Sequence, residues 1–126
     1  MRLSKNFSKH EFDSKDGAEM PVGVLNNVLE TAQNLQKLRD YYGVSITINS
    51  GYRSEAHNKA VGGSKGSQHR RGLAVDIVVK GVNPDDVADK IEELIEKGLL
   101  KEGGVGRYHT FTHYDIRGTK ARWDYR

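Results

Sequence analysis

Between Leu73 and Val79 the chain reads Leu-Ala-Val-Asp-Ile-Val-Val, apolar on both faces of any strand it forms except at Asp76. Such a run predicts a strand over 73–79 in the middle of a sheet, covered on both sides. A carboxylate left unpaired in that setting would cost several kcal/mol or surrender its charge. A cation must therefore meet Asp76. The choice lies between an arginine, with Arg53 and Arg71 as candidates, and a metal ion shared with other side chains. The chain has no cysteine, which excludes thiolate-held zinc, iron–sulfur clusters, disulfides and thiol nucleophiles together. Any metal must then be held by His, Asp or Glu.

Two histidines fall where strand geometry can bring them to Asp76. His69 stands just before the strand, at the end of the glycine-rich stretch Val61-Gly62-Gly63-Ser64-Lys65-Gly66-Ser67, where a side chain can turn back over a sheet. His113 sits within Phe111-Thr112-His113-Tyr114-Asp115, and strand alternation places it on one face with Asp115. Two nitrogens and one oxygen make a recognised catalytic zinc set, whose fourth position stays open for the water that the ion activates for amide hydrolysis. That reaction also needs a group to move protons and a cation for the developing oxyanion. His109 and Asp115, either side of His113, are candidates for the first role, and Arg53 for the second. Asp115 has an equal alternative as the acceptor that orients a histidine. His10 and His57 read as ordinary histidines.

The remaining sequence supplies a frame for one domain, residues 1–126. Leu25, Val28, Leu29, Ala32, Leu35, Leu38 and Tyr42 recur at helical spacing over 22–42, and Gly43 ends the stripe. Val44, Ile46 and Ile48 alternate with polar residues as a strand broken by Ser50-Gly51, and Ser54 could cap a short helix to Ala60. Asn83-Pro84-Asp85-Asp86 is a helix start, with Val87, Ile91, Leu94 and Ile95 as its apolar stripe and Gly98 as its stop. Residues 104–108 and 111–116 read as strands. Ser8 and Glu11 have capping-box spacing for one short turn, and the tail from Gly118 carries the only tryptophan, Trp123. This order predicts an α+β fold, a small and mainly antiparallel sheet packed against two main helices.

No apolar run approaches the roughly 20 residues that span a bilayer, and the opening MRLSKNFSKHEF lacks the apolar core of a signal peptide. The expectation is a monomer that does not engage membranes, made in the cytoplasm. A net charge of +3 attracts polyanions only mildly. Arg70-Arg71 and the arginines from Arg117 to Arg126 read as a solvated basic surface, so no nucleic-acid partner is expected. The glycines of 62–72 do not match a phosphate loop.

Ser67-Gln68-His69-Arg70-Arg71-Gly72-Leu73-Ala74-Val75-Asp76 reads as S-x-H-x-x-G-x-A-x-D, which resembles the signature of the zinc D-alanyl-D-alanine carboxypeptidases and the related phage endolysin peptidases. Ser50-Gly51-Tyr52-Arg53-Ser54, Gly104-Val105-Gly106-Arg107-Tyr108, Phe111 to Asp115 and Ala121-Arg122-Trp123 extend the similarity over most of the chain. The resemblance implies a hedgehog-like peptidase fold, Zn2+ held by His69, Asp76 and His113, and a peptidoglycan stem peptide as substrate. It implies that Arg53 contacts the substrate carboxylate or the tetrahedral intermediate, and that Ser67 belongs to the substrate-binding set. His109 corresponds to a non-ligand histidine of similar carboxypeptidases, while related dipeptidases carry a Glu where this chain has Thr110, so His109 and Asp115 both stay open as proton shuttle. Carboxypeptidase and endopeptidase activity fit equally. A lysis protein that reaches the wall after release would suit the missing export signal. The alternatives are a zinc-stabilised cell-wall binding module without turnover, as in the hedgehog signalling domains, and a small basic nucleic-acid-binding protein.

Overall fold

Alternation along one strand, β2 (Ala74–Val79), sorts the molecule into a packed side and a chemical side. Val75, Ile77 and Val79 are buried among helix residues, while Asp76 faces the other way. The computed structural model describes residues 1–126. Its five strands are β1 (Ile46–Ser50), β2, β3 (Gly104–Arg107), β4 (Thr112–Asp115) and β5 (Ala121–Asp124), arranged in the order β1-β2-β4-β3-β5. All pairings are antiparallel except β3 with β5. The fold is therefore α+β with a mostly antiparallel sheet, as the order of sequence patterns predicts.

Two helices cover the packed side. In α1 (Val22–Tyr42), Val28, Ala32, Leu35 and Leu38 are wholly buried at helical spacing, and Gly43 ends the helix in a left-handed conformation, donating its N–H to the Arg39 carbonyl. Burying each leucine contributes roughly 2 kcal/mol. In α3 (Pro84–Glu96), the Asn83 side chain accepts the Asp85 N–H at 2.9 Å, Pro84 opens the first turn, and Val87, Ile91 and Leu94 face inward. This helix is fastened to the sheet: Thr112 Oγ donates to the Pro84 carbonyl at 2.8 Å, and Arg107 meets Asp89 at 2.6 Å and Glu92 at 2.7 Å. No helix is long and apolar enough to cross a membrane.

Local signals in the sequence settle most boundaries, with three differences. Strand β1 begins at Ile46 rather than Val44, because only from Ile46 does the chain find its partner, Val79 of β2. The glycine-rich stretch runs into a 3-10 turn over Gln68–Arg71. The tail forms β5, an edge strand joined to β3 by its backbone; Ala-Arg-Trp-Asp has no apolar alternation to announce it. A short helix, α2 (Glu55–Ala60), follows the Ser54 cap as expected.

Gly72 closes the 3-10 turn at φ +75°, and its carbonyl oxygen accepts a hydrogen bond from Thr31 Oγ at 2.8 Å. A side chain there would meet Val28 at 2.8 Å and Val24 at 2.9 Å, both on α1. This is where the metal-side loop touches the core helix. We expect Gly72→Ala to lower stability by about 2 kcal/mol, combining left-handed backbone strain with overpacking, read as a lower urea midpoint at unchanged slope.

Candidate metal centre

Register brings the first two members together. Asp76 of β2 and His113 of β4 are direct cross-strand partners, so both side chains leave the sheet on the same face. The 3-10 turn before β2 adds His69, held by three local bonds: Ser67 Oγ accepts the His69 N–H at 3.2 Å, the His69 carbonyl accepts the Arg53 N–H at 3.0 Å, and His69 Nδ1 lies 2.8 Å from the Gly51 carbonyl. His69, Asp76 and His113 are all buried, and one donor atom from each lies within 4.8 Å of the others. The structure thus brings together the three metal ligands expected from the sequence.

Hydrogen-bond logic says which atoms face one another. The Gly51 carbonyl can only accept, so His69 Nδ1 carries the hydrogen and Nε2 presents a lone pair 3.3 Å from Asp76 Oδ1. The Asp115 carboxylate sits 2.7 Å from His113 Nε2, so that nitrogen carries the hydrogen and Nδ1 points its lone pair at the same Asp76 oxygen, 3.0 Å away. Three electron-rich atoms converge on one point. Only a cation relieves that arrangement, either a shared proton or a metal ion. Burial would push the Asp76 carboxyl up, but once the imidazoles are protonated the hydrogen bonds from His113 and His69, with their positive charge, hold it well below the usual carboxylate range. Burial would lower the pKa of His113, and the Asp115 and Asp76 carboxylates on either side of the ring raise it instead by favouring the protonated form. The residues fit a divalent ion: two imidazoles and a carboxylate, with each imidazole's second nitrogen fixed by an acceptor behind it.

Asp115 stands behind His113, fully buried. Its oxygens accept from Gly104 N at 2.8 Å and from Arg117 Nε and Nη2, each at 2.8 Å. Burial opposes its ionisation, and the Arg117 bonds followed by the His113 bond prevail, keeping it well below the carboxylate norm. A Cβ at Gly104 would overlap that carboxylate, so the glycine is what admits it. Asp115 therefore orients His113 and does not line the cleft. His109 is exposed in the turn between β3 and β4, away from the cleft lining. Both residues expected to carry protons thus lie outside that lining, one behind the histidine and one on the surface.

Arg53 follows the end of β1 and reaches the other Asp76 oxygen, Oδ2, at 3.3 Å, with Ser50 Oγ at 3.1 Å and Asn58 Oδ1 at 3.4 Å. Asp76 thus meets the arginine through one oxygen and the two imidazoles through the other. The loop carrying Arg53 is pinned: Tyr52 N–H donates to the Phe12 carbonyl at 2.8 Å, and Ser54 N–H to Ser14 Oγ at 3.1 Å. Gly51 allows this, since a side chain there would come within 2.8 Å of Phe12 Cα.

The donor group opens on a cleft of about 590 Å³, with Arg53 and Ser67 on its wall. Tyr108, Phe111 and Trp123, to which the sequence alone gives no role, line the same cleft. Trp123 lies on β5 beside Gly106, which has no Cβ to block the indole, and its ring centre is 4.8 Å from that of His113. Burial, helped by the Asp76 charge, raises the Tyr108 phenol. Arg117 and Asn58 were also missed. Their partners are a buried carboxylate and a loop carbonyl, and no spacing in the chain reveals either.

An open donor set of two imidazoles and a carboxylate, on one face of a sheet, is of the kind that holds the ion in metal-dependent hydrolases. The family model described as Peptidase M15 matches residues 5–115, and this chain belongs to that family of metallopeptidases. No curated protein matches it.

Replacing Asp115 with Asn should leave the ligands in place but weaken their hold, because His113 loses its anionic partner. We expect metal affinity to fall about 10- to 100-fold, measured by competition with a chromophoric chelator.

Proposed function

We propose that this metallopeptidase is a zinc enzyme that hydrolyses peptide bonds in peptidoglycan stem peptides, as a D-Ala-D-Ala carboxypeptidase or an endopeptidase. The observation that carries this reading is the convergence of His69 Nε2, Asp76 Oδ1 and His113 Nδ1 beside a guanidinium in an open cleft. Nitrogen and carboxylate donors without sulfur suit Zn2+. The ion, when bound, supplies an activated water and a Lewis acid.

The chain's own residues do the rest. Asp76 meets Arg53 through Oδ2 and the imidazoles through Oδ1, so each positive partner is fixed relative to the other. Arg53 presents a planar fork beside the donor group, suited to a substrate carboxylate or to the oxyanion of a tetrahedral intermediate. Its contacts use one hydrogen on each of Nε, Nη1 and Nη2, which leaves the second hydrogen of Nη1 and of Nη2 for a substrate. Ser67 contributes by holding the His69 turn at the cleft wall. The S-x-H-x-x-G-x-A-x-D sequence and the mildly cationic surface support a cell-wall substrate.

Purified muropeptides, analysed by mass spectrometry for new amino groups, test the proposal and separate loss of a terminal D-Ala from internal cleavage. We expect His69→Ala to lose zinc and turnover together. Arg53→Ala and Arg53→Lys should retain zinc while kcat falls about 10²-fold or more. Zinc-loaded protein that releases no amino group from any muropeptide would favour a binding module instead.

A further inference from the structure

Among the aromatic residues that line the cleft, Tyr108 is held in place at its ring and at its tip and still has an unused hydroxyl hydrogen. Tyr108 is stacked on Phe111, with ring centres 4.3 Å apart and planes 14° from parallel, and Tyr125 meets it edge-on at 5.6 Å. Its hydroxyl oxygen accepts the Trp123 Nε1 hydrogen at 2.9 Å. Trp123 is placed in turn by Gly106 beneath it, by the His113 ring and by the Arg117 guanidinium, 5.6 Å from the indole centre. The phenol is thus fixed by stacking on one side and by a directed hydrogen bond at its tip. That bond uses a lone pair of the oxygen. The hydroxyl hydrogen has no acceptor within the protein, and Tyr108 lines the cleft that contains His69, Asp76, His113 and Arg53. A phenylalanine would stack equally well, and a half-buried indole N–H can find water, so packing alone does not call for the hydroxyl.

We propose that the Tyr108 hydroxyl is a hydrogen-bond donor to the peptide substrate, directed at the carbonyl oxygen of the bond that is cleaved, and that Trp123 is the positioning residue that aims it. This rests on the peptidase reading above. Charge builds on that oxygen as the carbonyl becomes tetrahedral, so a neutral donor held in place stabilises the transition state more than the ground state. Arg53 and Tyr108, both on the cleft lining, then supply a charged and a neutral donor to the substrate.

The test uses the zinc-loaded protein and the muropeptide it cleaves. Tyr108→Phe should lower kcat about 30- to 100-fold, with KM changed less than about threefold and zinc content unchanged. Trp123→Phe should lower kcat less, and the double variant should be no slower than Tyr108→Phe alone, since the indole acts through the phenol. Trp123 is the only tryptophan, so its emission confirms that Tyr108→Phe is folded. Should that variant fold poorly, the comparison of Trp123→Phe with wild type still decides: a fall in kcat at constant KM supports the assignment. Unchanged kcat in Tyr108→Phe, a rise in KM alone, or loss of zinc would overturn it. A wild-type protein that cleaves no muropeptide would overturn the peptidase reading itself, whereas active wild type with fully active Tyr108→Phe would overturn only the donor.

Discussion

Three lone pairs pointed at one place define this structure. Asp76 Oδ1 faces His113 Nδ1 and His69 Nε2 at 3.0 and 3.3 Å, and each imidazole has its other nitrogen committed to an acceptor that cannot donate. Left alone, such a cluster repels itself; with a cation at its centre it is a binding site. The acid within an apolar strand is thus tolerable because its surroundings are arranged for positive charge. A guanidinium supplies part of that charge at Oδ2.

Much of the architecture serves to bring bulky groups close to this point, and glycine is the recurring means. Gly51 lets the Arg53 loop press on Phe12 while its carbonyl fixes His69. Gly104 makes room for the Asp115 carboxylate, and Gly106 for the Trp123 indole. At Gly104 and Gly106 the absent Cβ, rather than an unusual backbone angle, is what counts. The packed side works by other means, since α1 and α3 hold the sheet through buried aliphatic residues and a few ion pairs.

The metal group was legible in the sequence because each part carries a period or an anomaly. Asp76 breaks an apolar run, His113 alternates with Asp115, and His69 closes a glycine-rich stretch just before the strand; the structure brings all three together. What could not be read depends on partners distant in the chain. Whether Asp115 faces the cleft or the back of His113 is decided by Gly104 and Arg117, and β5 owes its strand to the backbone of β3 rather than to its own side chains. His109 is close to His113 in the chain, yet the turn it occupies leaves it in solvent.

The donor atoms come from the turn before β2, from β2 itself and from β4, with α3 and β3 intervening between the last two along the chain. Nothing in an unfolded polypeptide holds such remote segments at ångström separations, so affinity for the ion arises only once the sheet has closed. Binding and folding are then thermodynamically linked: whatever free energy the ion contributes is added to the native state alone. The cation acts as a clasp across two neighbouring strands as well as a reagent, and its removal would loosen the molecule along the seam where its chemistry resides.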